Sequence, residues 1–106
     1  MKNNVEFSHL ARFDLEAIVE HYYNVSPKTA SRYYHGIIKA ATRLESFAEV
    51  GRIVPELEED FVDRYRELIF ENYRIIYRCE DKNYLFIVRV VDSRRLLTLD
   101  FVKEIR

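Results

Sequence analysis

The sequence contains few of the residues that characterise flexible or membrane-spanning chains. Its 106 residues include only two glycines and two prolines, which argues against a disordered or linker-rich chain. The longest uninterrupted apolar run, Tyr84–Val88, is far too short to cross a membrane. The first residues, MKNNVEFSHL, hold no long apolar stretch, so we expect no signal peptide and no membrane partner.

Signatures of metal, disulfide and nucleophile chemistry are equally scarce. The single cysteine, Cys79, cannot form an internal disulfide. Its position within a strand-like run predicts a buried, unreactive thiol and is consistent with a reducing cytoplasm. The sequence has no CxxC, HExxH, glycine-rich phosphate loop or GxSxG elbow, so we expect no metal site and no cofactor.

The net charge is also small. It is −1, so bulk electrostatics predict no affinity for nucleic acids. The charge is unevenly distributed, with −4 over residues 1–63 and +3 over residues 64–106. This asymmetry suggests an interaction face in the C-terminal part, although both parts could simply carry solvated charge.

What the sequence does contain is clear periodicity. Apolar residues recur at helical spacing through residues 8–47, and the period changes to two after residue 64. Ser8 and Ser26 are placed to cap two helices. We predict one α+β domain over residues 1–106, with an antiparallel helical hairpin covering one face of an antiparallel meander and a short C-terminal tail. The predicted elements are a strand Asn3–Phe7, helices from Ser8 to about Asn24 and from Pro27 to about Phe47, an acidic loop through Glu58, Glu59 and Asp60, strands Tyr65–Phe70, Tyr73–Cys79 and Tyr84–Asp92, and a short helix from about Thr98.

Two turns fix the predicted register of the meander, a two-residue turn at Glu71–Asn72 and a four-residue turn at Glu80–Asn83. Side chains alternate along a strand, and paired residues share a face. The set predicted to face the helices is Arg66, Leu68, Phe70, Tyr73, Ile75, Tyr77, Phe86, Val88 and Val90. The set predicted to face away is Tyr65, Glu67, Ile69, Arg74, Ile76, Arg78, Leu85, Ile87 and Arg89, with Arg74 directly opposite Arg89.

The arginines that face away from the helices form the candidate site. They could lie in water beside Glu67, or they could bind phosphate or the carboxylates of a partner. The apolar residues predicted on the same face favour a binding surface. Arg94 and Arg95, directly after the last strand, are placed to extend it. The candidate partner- or anion-binding residues are therefore Tyr65, Glu67, Arg74, Arg78, Arg89, Arg94 and Arg95.

Three segments, in this order, resemble those of the RelE/ParE superfamily of toxins from type II toxin–antitoxin systems. They are GRIVPEL after the second predicted helix, YRELIFENYRIIYR across the first hairpin, and IVRVVDSRR at the last strand. GRIVPEL and the long helical hairpin are closer to the ParE-like (plasmid stabilisation) branch. The resemblance covers nearly the whole chain. It implies a small cytoplasmic toxin that inhibits growth and is neutralised by a cognate antitoxin in a hetero-oligomer.

The resemblance leaves three functions open. ParE-like members poison DNA gyrase and are not nucleases. RelE-like members cleave mRNA in the ribosome, and by resemblance Arg74, Arg94 and Arg66 would contact phosphates there. This chain departs from the nuclease pattern, because Leu68 replaces a basic residue and the tail LLTLDFVKEIR has neither tyrosine nor histidine. A third possibility is a member that binds its partner but is no longer toxic. We expect a ParE-like toxin directed at gyrase, with a ribosome-dependent endoribonuclease as the alternative.

Overall fold

The computed structural model describes residues 2–58, 64–81 and 83–102. It confirms the predicted α+β fold, in which a strand and two helices precede an antiparallel meander. None of the helices in these ranges is both long and apolar enough to span a bilayer. The elements in chain order are β1 (Asn4–Phe7), α1 (His9–Tyr23), α2 (Pro27–Thr42), β2 (Arg52–Ile53), α3 (Pro55–Glu58), β3 (Tyr65–Phe70), β4 (Tyr73–Asp81), β5 (Tyr84–Asp92) and α4 (Leu99–Val102).

Both long helices begin at the predicted serine caps. Ser8 Oγ accepts a hydrogen bond from the Ala11 amide at 2.9 Å and donates one to the Val88 carbonyl at 2.9 Å. Ser26 Oγ accepts from the Thr29 amide at 3.0 Å. The bonds from the Ala11 and Thr29 amides satisfy groups that the first helical turn leaves without partners. The α2 helix ends earlier than expected, at Thr42, and a 3₁₀ turn follows it.

The sheet has the strand order β1-β5-β4-β3-β2, with β1 parallel to β5 and the other neighbours antiparallel. The predicted register between β3 and β4 is confirmed over all of its pairs, from Phe70 opposite Tyr73 to Tyr65 opposite Arg78. Their turn has two residues, and Glu71 adopts a φ of 52°. Such left-handed backbone is typical of tight hairpin turns.

The predicted register between β4 and β5 is wrong. Arg74 lies opposite Val91, and Arg89 lies opposite Ile76, so the two arginines do not pair. The strands already pair at Asp81 and Tyr84, so the four-residue turn predicted at Glu80–Asn83 is wrong, and this closer pairing separates Arg74 from Arg89. Two irregularities also shift the strands locally, one between Cys79 and Asp81 and one between Ile76 and Tyr77. Each bulge places an extra residue on one strand and changes which side chains face each other.

One hydrophobic core lies between the sheet and the two long helices. Ile37 on α2 and Ile75 on β4 are fully buried in it. Leu68, Ile75, Tyr77 and Val90 belong to this core as predicted, with Phe70 and Tyr73 packed against it. Leu85 and Ile87 also belong to it, although they were expected on the opposite face. The bulged register of β5 is the physical reason for this exchange.

A second hydrophobic core covers the opposite face of the sheet. The segment expected to be a loop contains β2 and α3, and it packs there together with the C-terminal segment around α4. The acidic residues Glu59 and Asp60 of that predicted loop lie outside the described residues. Phe86 and Val88, expected beneath the helices, belong to this second core. Its buried residues are Val54, Leu57, Tyr65, Ile76, Phe86, Val88, Val91, Leu97 and Val102.

Cys79 is exposed, and the expectation of a buried thiol is wrong. The residue lies near the end of β4, beside an open cavity of about 850 Å³ that Phe47, Glu49 and Val50 also line. Partial burial nevertheless raises the pKa of the thiol. A thiol that solvent reaches but that ionises reluctantly is accessible and only slowly reactive.

Candidate functional site: the arginine face of the sheet

Arg74 stands at the centre of a buried ion-pair network on the sheet face that carries the second core. Its Nε donates to Glu67 Oε1 at 2.6 Å. Its Nη1 and Nη2 donate to the two carboxylate oxygens of Glu56 at 2.6 and 2.7 Å. Nη1 also donates to the Arg95 carbonyl at 3.0 Å. The guanidinium is thus held by side chains and backbone from three separate parts of the chain.

Two further contacts complete the network. Glu67 Oε2 accepts from Arg52 Nε at 2.6 Å, and Glu56 Oε2 accepts from the Leu97 amide at 3.1 Å. Two arginines therefore meet two glutamates, so the formal charges of the network cancel. Glu67 is fully buried and Arg74 is 5% exposed, which places the charges where unpaired ions would be strongly destabilising.

The pKa values of the paired groups reflect these contacts. The hydrogen bonds from Arg74 lower the pKa of Glu56 to about 2, against an ordinary value of 4.5. The same contact with Glu56, followed by the one with Glu67, raises the pKa of Arg74 above its already high ordinary value. Both groups are therefore ionised throughout the physiological pH range.

Arg78 and Tyr65 lie on the same face as Arg74, as predicted. Arg78 is 2% exposed, donates to Glu80, and donates to the Tyr65 hydroxyl at 3.4 Å. Its guanidinium lies 5.6 Å from the centre of the Phe86 ring. Strand alternation alone correctly predicts the sheet face on which Arg78 and Tyr65 lie. It does not predict that they are buried, because the residues that cover them come from distant segments of the sequence.

Arg89 reaches past the sheet to α1 instead of joining the Arg74 network. Its Nε and Nη2 donate to the two carboxylate oxygens of Asp14 at 2.8 and 2.9 Å. Asp14 Oδ2 also accepts from the Val90 amide at 2.9 Å. The Arg89 guanidinium lies 4.2 Å from the centre of the Phe101 ring, so the residue connects α1 to α4.

Arg94 and Arg95 are the candidate arginines that remain exposed. The Arg94 side chain is 90% exposed and bonds Asp92, with Nε 3.0 Å from Oδ1. The Arg95 guanidinium lies 4.1 Å from the centre of the Phe101 ring. Leu96, which follows them, is 82% exposed. This corner therefore presents positive charge and apolar surface together.

Arg66 lies opposite Tyr77 and faces the helix side of the sheet, as predicted. It donates to the Gly51 carbonyl at 2.8 Å. The three arginines considered as nuclease residues are therefore not brought together. Arg66 faces one side, Arg74 is enclosed on the other, and Arg94 is exposed beyond the end of β5.

Sequence reasoning missed three residues that organise this region: Glu56, Asp14 and Phe101. Glu56 lies within GRIVPEL, one of the segments that carry the family resemblance. An acidic residue in that segment was a signal that could have located a partner for the arginines. Asp14 and Phe101 carry no such signal, because their contacts join α1 to β5 and α4 to β5 across long sequence separations.

The arrangement leaves little capacity for anion binding at Arg74. An incoming phosphate would have to displace the Glu56 carboxylate, which already occupies both Nη atoms. The three histidines lie on the helices, exposed. Within the described ranges, no group of three or more acidic, cysteine or histidine side chains is placed to hold a metal ion.

The sequence profile of one protein family matches residues 5–97, and that family is described as the ParE toxin of the type II toxin–antitoxin system, parDE. The chain belongs to the ParE toxin family. It is therefore a type II toxin–antitoxin toxin of the RelE/ParE superfamily, as the resemblance implied. No curated protein matches the sequence.

Solved structures of toxin–antitoxin proteins share the fold of this ParE-family chain. A chain of the chromosomal ParDE system from P. aeruginosa superposes with a TM-score of 0.71 at 22% identity, over 88% of this chain and 98% of that one. A chain of the RelBE2 toxin–antitoxin complex from Mycobacterium tuberculosis gives a TM-score of 0.56 at 22% identity, over 87% of this chain and 92% of that one.

Proposed function

We propose that this ParE-family chain inhibits growth by binding DNA gyrase, that it acts in the cytoplasm without nuclease activity, and that a cognate antitoxin neutralises it. Membership of the ParE family supports this proposal over the RelE-like alternative. The antitoxin partner is supported by the solved relatives, which are described as a toxin–antitoxin system and a toxin–antitoxin complex.

The main observation that supports a function other than RNA cleavage is that the guanidinium of Arg74 already binds other groups of the chain. Four hydrogen bonds to Glu56, Glu67 and the Arg95 carbonyl occupy its guanidinium. A group that stabilises the charge building on a scissile phosphate must be free to contact that phosphate. Arg66 and Arg94, the other two nuclease candidates, do not converge with Arg74 on one point.

Two reactions test the proposal with the same purified chain. In the first, DNA gyrase supercoils a relaxed plasmid with and without the chain. In the second, ribosomes translate a defined mRNA and cleavage is followed by primer extension. We expect loss of supercoiling or accumulation of cleaved plasmid in the first reaction and intact mRNA in the second. Addition of the antitoxin should restore gyrase activity.

The reverse pattern would overturn the proposal in favour of the nuclease. In that case Arg94→Ala is the informative variant, because Arg94 is exposed and its loss should not affect folding. Activity in neither reaction, together with no growth defect on expression, would identify a chain that binds its antitoxin but is no longer toxic.

A further inference from the structure

A row of basic residues follows the side of α2 that faces away from the core. The helix itself contains no acidic residue. Its basic residues, continued by the C-cap Arg43, recur at spacings of four, three, four and four, and all are exposed: they are Lys28, Arg32, His35, Lys39 and Arg43. At about 100° per residue these spacings keep the row within roughly 80° of the helix circumference, opposite the buried Ile37. We call this row the α2 stripe.

Most of the charge on the α2 stripe is not neutralised by the chain. Arg32 Nη1 donates to Glu71 Oε1 at 2.7 Å, and both side chains remain about half exposed. Lys28, Lys39 and Arg43 form no ion pair with any residue in the described ranges. Three permanent positive charges are therefore available to another molecule.

The stability of α2 does not explain the stripe. Lys28 and Arg32 are four residues apart, as are Lys39 and Arg43, and like charges at this spacing destabilise a helix. Lys28 also lies in the first turn, where the helix dipole favours negative charge and where no acidic residue is present. Charges that disfavour the helix on which they lie are more consistent with binding than with folding.

The side chains around the stripe indicate the chemistry of its partner. An open cavity of about 460 Å³ is lined by basic and hydroxyl residues alone, namely Lys28, Thr29, Ser31, Arg32 and His35. Basic side chains and hydroxyl groups are the usual donors to phosphate oxygens in nucleic acids. The stripe has no apolar residue along its centre, whereas protein–protein interfaces are most apolar at their centre. This composition favours a row of phosphates over a protein partner.

The dimensions of the stripe are consistent with a duplex. From Lys28 to Arg43 it spans about 22 Å of helix, and double-stranded DNA carries one negative charge per about 1.7 Å of its axis. The net charge of −1 does not oppose this contact. Charges more than about 8 Å apart are largely screened at physiological ionic strength, and even the shortest dimension of the chain is 21 Å.

We propose that the α2 stripe binds the phosphate backbone of duplex DNA without reading its sequence. The choice of DNA rests on the proposed action on gyrase, an enzyme that acts on duplex DNA. Contact between the stripe and that DNA gives the toxin a preference for gyrase that already holds its substrate.

The salt dependence of DNA binding tests the inference. The probe is a short fluorescent duplex of mixed sequence, and binding by the toxin, made by cell-free synthesis, is followed by anisotropy at several NaCl concentrations. Three to four phosphate contacts predict that log K falls with log [NaCl] with a slope of about −3 to −4. The Lys28→Gln and Lys39→Gln double variant should bind at least about tenfold more weakly at low salt, with the slope reduced by about two.

Two further variants separate DNA contact from general effects on charge and folding. The matched control is Arg12→Gln with Arg64→Gln, which makes the same charge change at exposed residues outside the stripe and should bind like the wild type. His35→Lys adds a permanent charge in the middle of the stripe. It should tighten binding and steepen the slope by about one, which a merely destabilising change would not do.

Three results would overturn the inference. The first is no binding of the duplex at low salt, or equal binding by the wild type and the Lys28→Gln and Lys39→Gln variant. The second is tighter binding of a single-stranded RNA of the same length, which would identify RNA as the partner. The third is weaker binding of that variant to the protein encoded by the adjacent reading frame with unchanged binding to the duplex, which would identify a protein partner.

The gyrase reaction distinguishes failure of this inference from failure of the proposed function. If the wild type inhibits supercoiling but does not bind the duplex, the inference alone fails. If the wild type binds the duplex through the stripe but does not inhibit gyrase, the proposed function fails and the DNA-binding surface stands.

Discussion

Arg74 and Glu56 form a two-point ion pair that joins the central strand β4 to the short helix α3. The Nη1–Oε2 and Nη2–Oε1 distances are 2.6 and 2.7 Å. The planar guanidinium matches the carboxylate in the manner that makes arginine the preferred partner for such pairs. Glu56 also accepts from the Leu97 amide, so one carboxylate connects α3, β4 and the C-terminal segment.

The first prediction concerns removal of the arginine. Arg74→Ala leaves Glu56 and the buried Glu67 without their main counterion, and we expect a loss of about 3–5 kcal/mol in the free energy of unfolding. Urea denaturation followed by circular dichroism measures this loss. Arg94→Ala, which removes an exposed arginine, should leave stability unchanged. Equal stability of the two variants would contradict the structural role given to Arg74.

The second prediction concerns how the contribution of Glu56 to stability depends on pH. The pKa of Glu56 is about 2 in the folded chain and near 4.5 without its partner. A carboxylate with a lowered folded pKa stabilises the fold above its unfolded pKa, and that contribution is lost as pH falls through the folded pKa. Wild type should therefore exceed Glu56→Gln in stability at neutral pH, and the difference should shrink between about pH 5 and pH 2. Urea titrations at several pH values measure it, and a constant difference would contradict the prediction.

The third prediction concerns the thiol. Cys79 is exposed, so a maleimide or a disulfide reagent should modify it in the folded protein. The raised pKa of the thiol should make the reaction slower than that of the unfolded chain at the same pH. The rate should increase as pH rises and thiolate forms. Modification that requires denaturant would show that solvent does not reach Cys79.

The fourth prediction concerns the ion pair between Asp14 on α1 and Arg89 on β5. In a double-mutant cycle, Asp14→Ala and Arg89→Ala should show a coupling energy of about 0.5–3 kcal/mol, because the pair is mostly buried and joined at two points. The comparison pair is Asp92 and Arg94, which is exposed and should show no measurable coupling. Additive effects of Asp14→Ala and Arg89→Ala would mean that the two side chains act independently.

The sequence was sufficient to predict the two long helices, the first strand, the three strands of the meander and the first hairpin. Serine caps, helical spacing and the two-residue turn at Glu71–Asn72 are local signals, and each occurs in the structure. The register of β5 was not predictable in the same way. Its first half, Tyr84–Val88, is a continuous apolar run, so either register places apolar side chains on both faces of the sheet. The bulges that decide between the two registers are not marked by any particular residue type in the sequence.

For the strand residues of the candidate site, the sequence predicted the sheet face that they share but not that they are buried. Alternation placed Tyr65, Glu67, Arg74 and Arg78 on one face, and the structure places them there. Their burial depends on α3 and the C-terminal segment, which come from other parts of the chain. Glu56, the main partner of Arg74, lies 18 positions away in the sequence, and periodicity carries no information about such a contact.

The parallel pairing of β1 with β5 has a consequence for how the protein is made. Asn4 lies opposite Tyr84 and Phe7 opposite Ile87, so β1 pairs with a strand that is synthesised much later. Such distant pairing is slow because a long stretch of chain must first close. A polypeptide interrupted before Tyr84 lacks the strand that β1 requires. A chain interrupted before Tyr84 therefore cannot form the pairing of β1 with β5 that completes this edge of the sheet.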